Sequence, residues 1–392
     1  MGLFACGPGP SEGRVVIGHY GSMSGSEATF GQSTARGIRL AVREVNASGG
    51  IKGKLVELKS YDDRGQSQEA GTAVTRLITS DNAVAILGEN ASSLSLAGGR
   101  VAQQYGVPMI SPSSTNPAVT QLGDKIFRVC FLDPFQGWVQ AKFAREFLKA
   151  RTAAILYDQS QAYSKGLAEF FRTAFEQRGG AIATEQAYTG GDQDFSAQLT
   201  TIRQLHPDVV LVPGYYTDAG NIAIQARKLG VTAPLLGGDG WESPQLAAIG
   251  KDAIEGSYYS SHYAFQESRP EVRKFVTDFE SEYGEKPDSL GALGYDAARL
   301  LFDAMQRAPS WDGATLAKAI AETRDFAGVT GRITIDPERN AKKSAVVVQM
   351  RSGIPVAVST IEPELLEHPS LLAHDLGALK RDTGCVLSVE CR

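Results

Sequence analysis

The sequence predicts an α/β protein with two lobes, each built on a parallel β-sheet that carries helices on both faces. Three observations support this fold class. From residue 14 onward, short runs rich in β-branched residues alternate with amphipathic helical windows, which is the pattern of covered parallel sheets. The alternation starts a second time at Thr152. The length of 392 residues suits two domains, since one domain usually takes about 100 to 200 residues.

The first half of the chain alternates predicted strands with predicted helices. Its first helix is typical, because Ile38, Val42 and Val45 share one face and Gly49-Gly50 follows as a stop signal. We expect strands at residues 14–20, 54–61, 83–88 and 108–110, and helices at residues 32–46, 67–80 and 93–105.

The second half repeats this order of elements. Its clearest helical signal places Leu167, Phe170, Phe171, Ala174 and Phe175 at a spacing of about 3.6 residues, so these side chains form one apolar face. We expect strands at residues 152–157, 181–188, 209–212, 235–237, 332–335, 345–350 and 355–360, and helices at residues 195–205, 218–229, 269–283, 290–307 and 315–322.

Composition and charge exclude several classes of protein. Hydrophobic residues make up 42% and charged residues 21% of the chain, which is enough apolar material for packed cores and too little charge for a disordered chain. Lys and Arg number 39 against 44 Asp and Glu, and the largest basic cluster is a pair such as Lys342-Lys343, so no nucleic-acid surface is predicted. No apolar run approaches the roughly 18 residues that span a bilayer.

The four cysteines, Cys6, Cys130, Cys385 and Cys391, have neither the density of a disulfide framework nor the spacing of a zinc site. We interpret Cys130 as a small buried side chain. Leu3-Phe4-Ala5-Cys6 resembles the end of a bacterial lipoprotein signal, in which the Cys receives the lipid. A full signal has about 7 to 15 apolar residues before that point, so either the signal is trimmed or the match is accidental. Residues 1–13 are then a tether or a signal remnant.

Enzyme motifs fail on residue type or spacing. Gly21-Ser22-Met23-Ser24-Gly25 has Met where a nucleophile elbow has Ser. The glycine-rich segments 49–54 and 237–240 lack the spacing of a phosphate loop or a dinucleotide fingerprint. The five histidines are scattered, and Asp62-Asp63 fits a turn better than a catalytic pair. The sequence therefore predicts a protein that is no enzyme and holds no cofactor and no metal.

Small hydroxyl side chains follow two neighbouring strands, at the sheet edge where α/β proteins bind ligands. Asn90-Ala91-Ser92-Ser93 opens a helix after the third strand, and a helix N-terminus suits a carboxylate. The alternative is that Ser92 or Ser93 only caps the helix. Ser113-Ser114-Thr115 follows the fourth strand and offers hydroxyl and N–H donors, although by itself it also fits an ordinary turn.

An ordered series of short motifs resembles one family. The series comprises residues 18–25, 30–31, 45–51, 61–63, 110–117, 161–166, 214–216 and 238–240. It resembles the periplasmic leucine/isoleucine/valine-binding proteins of ABC importers, a type I solute-binding family that also contains amide sensors and receptor ectodomains. The resemblance covers about residues 14 to 360.

The resemblance implies two doubly wound parallel-sheet lobes joined by a three-crossover hinge, the arrangement known as a Venus flytrap. Lobe 1 takes residues 14–132 plus 262–328, and lobe 2 takes residues 133–261 plus 329–361. The tail, residues 362–392, has no counterpart in the family, and we assign it no function.

The resemblance also implies the ligand site. Ser92 holds the α-carboxylate of an amino acid, and Thr115 bridges the two charges of the ligand. Asp239 is the counter-ion of the ammonium group. Ser113 offers its carbonyl to the ammonium, and Ser114 lies in the same loop. Tyr163 and Tyr215 close over the ligand, while Phe30 and Leu290 shape the side-chain pocket. Trp241 is either a pocket wall or a packing residue at the surface.

Read singly, two of these features also have plain structural explanations. Tyr163 and Tyr215 suit packing, and Asp239 between glycines suits a turn; the ordered series favours the site. The chain departs from the family in having Asp239 where Glu is usual, so the carboxylate reaches less far and the ammonium must sit closer or be bridged by water. Ala91 stands in place of one partner of a disulfide found in some members.

The implied function is an extracytoplasmic or periplasmic protein, anchored by lipid if Cys6 is modified, that captures a branched-chain or related amino acid. Its partners are the amino acid and an inner-membrane ABC permease. The alternative is a regulatory receptor domain that senses amino acids or amides, and a third interpretation is an α/β enzyme that works in the same cleft.

Overall fold

The computed structural model of the chain describes residues 13–263 and 268–363. The strands are β1 Arg14–Gly21, β2 Leu55–Asp62, β3 Ala85–Leu87, β4 Met109–Ser111, β5 Ile126–Arg128, β6 Thr152–Asp158, β7 Ala181–Tyr188, β8 Val209–Val212, β9 Leu235–Gly237, β10 Tyr258–Ser261, β11 Phe326–Gly328, β12 Gly331–Ile335, β13 Ala341–Lys342, β14 Ala345–Arg351 and β15 Ile354–Ile361. The α-helices are α1 Ala28–Ala47, α2 Ser67–Thr79, α3 Ser92–Tyr105, α4 Asp133–Lys142, α5 Ala162–Gln177, α6 Ser196–Leu205, α7 Tyr216–Lys228, α8 Pro244–Gly250, α9 Pro270–Tyr283, α10 Ser289–Arg307 and α11 Gly313–Ala321.

The first sheet has five parallel strands in the order β2-β1-β3-β4-β5. Helix α2 packs on β1 and β2, while α10 packs on α1 and contacts β3 and β4. We call this sheet with α1, α2, α3 and α10 lobe 1. The strand order reverses between β1 and β3, which is the point of an open α/β sheet where ligands bind.

The second sheet has seven strands in the order β15-β14-β10-β9-β8-β6-β7. Strands β6 to β10 run parallel, whereas β14 pairs antiparallel with β10 and with β15. The expected parallel sheet is thus mixed at one edge, because only Ser352 and Gly353 separate β14 from β15 and a connection that short joins only antiparallel strands. We call this sheet with α4 to α8 lobe 2.

The chain passes between the lobes three times, after β5, after β10 and before β14. Strands β11, β12 and β13 form a separate antiparallel sheet, and β11 contacts α10 of lobe 1. Residues 329–342, which the resemblance assigns to lobe 2, therefore include strands of this third sheet. The exact lobe boundaries stay a prediction.

Helices α1 and α10 pack closely because glycines stand at their contact. A Cβ atom on Gly37 would lie 1.9 Å from the carbonyl oxygen of Gly291, and one on Gly294 would lie 2.5 Å from the carbonyl oxygen of Thr34. Any side chain there would force the helices apart. This contact holds Phe30 of α1 and Leu290 of α10 in the same part of lobe 1.

The predicted α/β fold class is confirmed, and most predicted elements are present with ends shifted by a few residues. The prediction omitted β5, β10, β11, β13, α4 and α8. Of these, β5 and α4 lie at the first passage between the lobes. Strand β5 has only three residues, which is too short for a periodic signal. Helix α4 begins at Asp133-Pro134 and is buried over most of its length, its polar residues Gln136 and Gln140 included. It therefore has no exposed polar face that would reveal helical spacing.

Candidate functional site

A narrow cavity lies between the lobes, at the carboxyl ends of strands from both sheets. The cavity has a volume of only about 10 Å³. That is room for about one water, so the lobes are closed on each other and must part to admit an amino acid. Its lining residues are Phe30, Asn90, Ser92, Ser113, Thr115, Tyr163, Tyr215, Asp239, Gly240 and Leu290.

The cavity brings together most of the residues that the sequence predicted for a site. They are Phe30, Ser92, Ser113, Thr115, Tyr163, Tyr215, Asp239 and Leu290. The sequence prediction did not include Asn90 and Gly240 as site residues, although each lies in the same strand-end segment as a predicted one. Position after a strand end would have found both of them.

Ser92 is the first residue of α3, and the residue before it, Ala91, is the N-cap without a side-chain cap. Neither Ser92 nor Ser93 therefore caps the helix. The hydroxyl of Ser92 accepts a long hydrogen bond of 3.3 Å from the N–H of Asn116, and the hydroxyl of Ser93 accepts one of 3.0 Å from Ala162. The positive end of α3 thus points at the cavity with a hydroxyl group beside it.

Asn90 connects the two hydroxyl-rich loops. Its side-chain oxygen accepts hydrogen bonds from the hydroxyls of Ser113 at 3.0 Å and Thr34 at 3.1 Å. Both donors are buried. Asn90 therefore fixes the loop after β4 against α1 on the lobe 1 side of the cavity.

Ser114 lies in the predicted loop but its side chain turns away from the cavity. Its hydroxyl lies 3.0 Å from the carbonyl oxygen of Glu89, 2.9 Å from that of Asn90 and 2.7 Å from the hydroxyl of Ser95. These contacts join the loops after β3 and β4. Ser114 is placed to hold the site together, while Ser113 and Thr115 line it.

Arg128 supports the same loop from behind. Its guanidinium group is fully buried and donates to the carbonyl oxygens of Ser114 and Asn116 and to the hydroxyl of Thr120, the last two at 2.9 and 3.2 Å. Because the planar guanidinium offers several donors in a fixed geometry, it holds the backbone of Thr115 in place between its bonded neighbours.

Thr115 and Asp133 leave polar atoms unpaired beside the cavity. Within the described residues, neither the buried hydroxyl of Thr115 nor the buried Oδ2 of Asp133 has a hydrogen-bond partner at normal distance and angle. Burial raises the pKa of Asp133 to about 8, although the Thr115 side chain lies close enough to the carboxyl group to oppose this shift. This carboxyl group is therefore mostly protonated at neutral pH. The Thr115 hydroxyl is a donor and acceptor available to a ligand.

Asp239 projects from the turn after β9 on the lobe 2 side. One carboxylate oxygen accepts a hydrogen bond of 3.0 Å from the Nε2 of Gln136, and the other lies 2.9 Å from the Nε2 of His262. The backbone N–H of Asp239 also donates to Gln136 at 2.7 Å. A carboxylate has about four acceptor positions, so each oxygen retains capacity for a ligand.

Tyr163 and Tyr215 form the aromatic wall of lobe 2. Their rings stack, and the hydroxyl of Tyr163 accepts a hydrogen bond of 3.1 Å from Gly240. A Cβ atom on Gly240 would lie 2.7 Å from the carbonyl oxygen of Gly214 and 2.9 Å from the Tyr163 ring, so only glycine fits there. The hydroxyl of Tyr215 has no partner in the described part of the chain.

Trp241 lies outside the cavity and away from the surface, so it has neither of the two positions expected for it, a pocket wall or a packing residue at the surface. The side chain is fully buried inside lobe 2, and its Nε1 donates a hydrogen bond of 3.0 Å to the carbonyl oxygen of Val212. It packs on Gly237, where an added Cβ atom would lie 2.1 Å from the ring. Trp241 is neither a pocket wall nor a surface residue because the turn after β9 directs it beneath the sheet edge.

Hydrogen bonds across the cleft hold the lobes together. The hydroxyl of Thr29 on α1 lies 2.9 Å from the hydroxyl of Ser243, and the hydroxyl of Thr217 on α7 donates to the carbonyl oxygen of Ser26 at 2.6 Å. The side-chain amide of Asn116 donates to the carbonyl oxygen of Ala162 at 2.9 Å. These bonds join residues far apart in sequence and all require closed lobes.

Two further predictions concern cysteines and metals. Cys130 is fully buried and its thiol donates to the carbonyl oxygen of Ser114, which confirms that it is a buried side chain, whereas Cys6 lies outside the described residues.

Across residues 13–263 and 268–363 no three His, Cys, Asp or Glu side chains converge on a point that fits a metal ion. Of the helices in these ranges, none combines the length and apolar character needed to span a membrane.

Comparison with known proteins agrees with the predicted resemblance. A family model described as periplasmic binding protein matches residues 14–353. An amino acid binding protein from Pseudomonas aeruginosa is 31% identical over 340 residues, which cover 85% of this chain and 89% of the relative. The leucine binding protein LivK from Thermotoga maritima superposes with a TM-score of 0.86 at 40% identity, covering 89% of this chain and 99% of that one.

A second solved structure gives the same result. The branched-chain amino acid transporter substrate binding protein LivJ from Streptococcus pneumoniae, in complex with isoleucine, has a TM-score of 0.85 and 32% identity, and it covers 89% of this chain and 100% of its own. The predicted family resemblance is confirmed by these similarities over most of the chain.

Proposed function

The chain belongs to the periplasmic binding protein family, and from this premise we propose that it captures a branched-chain amino acid between its lobes and delivers it to an ABC permease. The observation that carries the proposal is the cavity, which Ser92 and Thr115 of lobe 1 line together with Asp239 of lobe 2. Relatives named for leucine binding and solved with isoleucine support this choice of ligand.

The polar residues of the cavity suit the two charges of an amino acid. The hydroxyl of Ser92 and the start of α3 would bind the α-carboxylate, and Asp239 would bind the ammonium, with Thr115 between them. A zwitterion that leaves water must find paired charges and hydrogen bonds, because otherwise desolvation outweighs binding. The buried Thr115 hydroxyl and the spare acceptor positions of Asp239 are groups of the required kind.

The apolar residues suit an aliphatic side chain. Phe30 and Leu290 face the cavity from lobe 1, and Tyr163 and Tyr215 face it from lobe 2. Burying a Leu, Ile or Val side chain contributes about 1.5 to 3 kcal/mol, whereas micromolar affinity needs about 8 kcal/mol. The ligand must therefore use the polar and the apolar parts of the cavity together.

Transport follows from closure of the lobes. A ligand that contacts both lobes favours the closed form over the open one, and an ABC permease at the inner membrane would recognise that form. The protein would work outside the cytoplasm, and its cargo would leave chemically unchanged. Recovery of an altered ligand after incubation with the protein would contradict a transport role.

Titration calorimetry on the purified chain tests the ligand. We expect leucine, isoleucine and valine to bind, while N-acetyl-leucine, leucinamide and benzoate, which each lack one charge of the zwitterion, bind far more weakly. A ligand at about 100 times its dissociation constant should add about 2.7 kcal/mol to the free energy of unfolding. Equal affinity for leucine and N-acetyl-leucine would exclude an ammonium site.

An Asp239→Asn variant tests the carboxylate. We expect leucine affinity to fall about 10- to 100-fold, since hydrogen bonds to charged groups contribute about 1.5 to 3 kcal/mol, with the thermal midpoint of unfolding retained. The matched control is Asp252→Asn, because Asp252 is exposed and lies away from the cavity. Unchanged affinity in Asp239→Asn would remove Asp239 from the ligand site.

A lipid on the thiol of Cys6 would keep the protein at the membrane surface. Labelling of cells with a radioactive fatty acid tests this point. Label in the wild type that disappears in Cys6→Ala would support the anchor, and equal label or no label in both would exclude it.

A further inference from the structure

His262 lies directly behind Asp239, outside the cavity itself. It follows β10, its side chain is fully buried, and its Nε2 is 2.9 Å from Oδ2 of Asp239. One face of the imidazole stacks on Phe131, with ring centroids 3.7 Å apart and planes 24° from parallel. The ring is therefore held in a single orientation toward the carboxylate.

The opposite side of the Asp239 carboxylate is held as well. Gln136 donates to Oδ1, and the side-chain oxygen of Gln136 in turn accepts from the hydroxyl of Ser260 and from the N–H of Asp239. With one oxygen bonded to Gln136 and the other to His262, the carboxylate does not rotate freely. Its remaining acceptor positions then have a defined direction.

We propose that His262 is the positioning residue of the ammonium site, because neutral His262 orients Asp239 while leaving its charge to the ligand, and protonated His262 takes that charge for itself. The inference rests on the proposed function and specifies how the site selects an amine. It makes capture of the amino acid depend on the protonation state of one buried histidine.

The hydrogen-bonding atoms favour the neutral ring. The Nδ1 atom of His262 has no hydrogen-bond partner among the described residues. In the neutral form with hydrogen on Nε2, this leaves only an unused lone pair, whereas protonation would bury an N–H group without an acceptor, which is costly. The neutral imidazole donates one hydrogen bond to Asp239 and carries no charge that competes with the ligand.

The charged groups around His262 act in both directions. Asp239, from the turn after β9, favours the protonated ring. Burial and Lys343, from the third passage between the lobes, oppose it, and burial is the larger effect, so the pKa of His262 is lowered. On its other side His262 lines a second cavity with the cations Arg269, Arg332, Lys342 and Lys343 and the anion Glu362. Of these groups, Lys343 lowers the pKa of His262.

Burial, together with the charge of Asp239, raises the pKa values of Cys130 and Tyr163, which stay far above neutral. This leaves Asp133 on α4 as the nearby titratable group to consider. Its pKa is raised to about 8, first by burial, and Asp239 also raises it. Ionisation of Asp133 therefore affects binding on the alkaline side of neutrality. Asp133 stays protonated in acid. A loss of leucine affinity in acid therefore does not arise from Asp133.

The test is leucine binding by titration calorimetry between about pH 4 and about pH 7, a range that extends well below the usual histidine pKa of about 6.5 because the pKa of His262 is lowered. We expect wild-type affinity to decline in acid. His262→Gln retains an N–H donor for Asp239 but cannot be protonated, so its affinity should stay near the wild-type value at neutral pH and remain constant in acid. His262→Phe loses the donor and should bind about 10- to 100-fold more weakly at every pH.

The control is His206→Gln, because His206 is exposed at the end of α6 and its replacement should leave the wild-type pH profile unchanged. If His262→Phe does not fold, the pH profile of His262→Gln decides the matter alone. An acid loss in His262→Gln equal to that of the wild type overturns this inference and leaves the proposed function intact. A wild-type chain that binds no branched-chain amino acid at any pH overturns both.

Discussion

The phenol ring of Tyr163 stacks on the ring of Tyr215, with centroids 5.4 Å apart and planes 11° from parallel. Phe30 of lobe 1 meets Tyr215 edge-on, at a centroid distance of 5.6 Å and an angle of 86°. The aromatic wall of the cavity is therefore completed only when the lobes close, because its members come from both of them.

Replacement of Tyr215 tests the wall. Tyr215→Leu should speed leucine dissociation about 3- to 10-fold, since an aromatic contact contributes about 0.5 to 1.5 kcal/mol beyond the area it buries. Stopped-flow fluorescence measures the rate. Tyr105→Leu is the matched control, because Tyr105 is half exposed and lies outside the cavity. If Tyr215→Leu releases leucine at the wild-type rate, the stacked rings do not contribute to holding the ligand.

The hydroxyl contacts across the cleft give a second prediction. In Thr29→Val with Thr217→Val, the bonds to Ser243 and to the carbonyl oxygen of Ser26 are lost. Each such bond contributes about 0.5 to 1.5 kcal/mol, so leucine dissociation should become about 5- to 100-fold faster while association changes little. Surface plasmon resonance measures both rates.

The control for this pair is Thr72→Val. The hydroxyl of Thr72 bonds to the carbonyl oxygen of Gln68 within α2, so it tests loss of a threonine hydroxyl without loss of a contact between lobes. If the double variant and the control release leucine at the same rate as the wild type, these contacts do not belong to the ligand-bound closed form.

Asp63 gives a prediction about stability and pH. Burial raises its pKa from 3.8 to about 6, so between about pH 4 and about pH 6 the folded chain binds more protons at this site than the unfolded chain does. The free energy of unfolding then falls as pH rises through that window and stays lower above it. Oδ2 of Asp63 has no hydrogen-bond partner in the described part of the molecule.

Asp63→Asn should therefore stabilise the protein at neutral pH. The amide keeps an oxygen for the hydroxyl of Ser22 and the N–H of Gly65, and we expect a gain of about 1 to 2 kcal/mol at pH 7 that vanishes near pH 4. Urea unfolding at several pH values measures this gain in stability.

Asp62→Asn is the contrasting variant. Although burial opposes the shift, hydrogen bonds to Asp62 lower its pKa, so its replacement should destabilise. A gain that does not depend on pH would contradict the assignment.

Two serines of the site should separate stability from affinity. Ser114→Ala removes the contacts to Glu89, Asn90 and Ser95 and should lower the free energy of unfolding by about 1 to 3 kcal/mol, because buried groups lose their partners. Ser92→Ala loses one long bond to Asn116 and should instead lower leucine affinity about 10-fold. Chemical unfolding and calorimetry measure the two effects. A loss of stability in Ser92→Ala together with a loss of affinity in Ser114→Ala would contradict these assignments.

The family resemblance supplied most of the residues of the candidate cavity, and their positions agree with the rule that ligand sites of α/β proteins follow strand ends. Ser92, Thr115 and Asp239 each come within a few residues after a strand, and the strands were predictable from β-branched runs. The role of Ser114 was not predictable, since a serine in a turn carries no sign of which way its hydroxyl points. Trp241 likewise gave no signal that its ring would lie beneath the sheet edge.

The order of helices and strands, and the segments that reach the sheet edges, are properties of the sequence alone, because periodicity and turn residues act between near neighbours. The pairing of Asp239 with His262 and Gln136 came only with tertiary structure. These residues lie on different elements, and they meet because β9 and β10 pair side by side while α4 packs on β10. No local pattern encodes such a meeting, since its energy is gained only when distant segments are buried together.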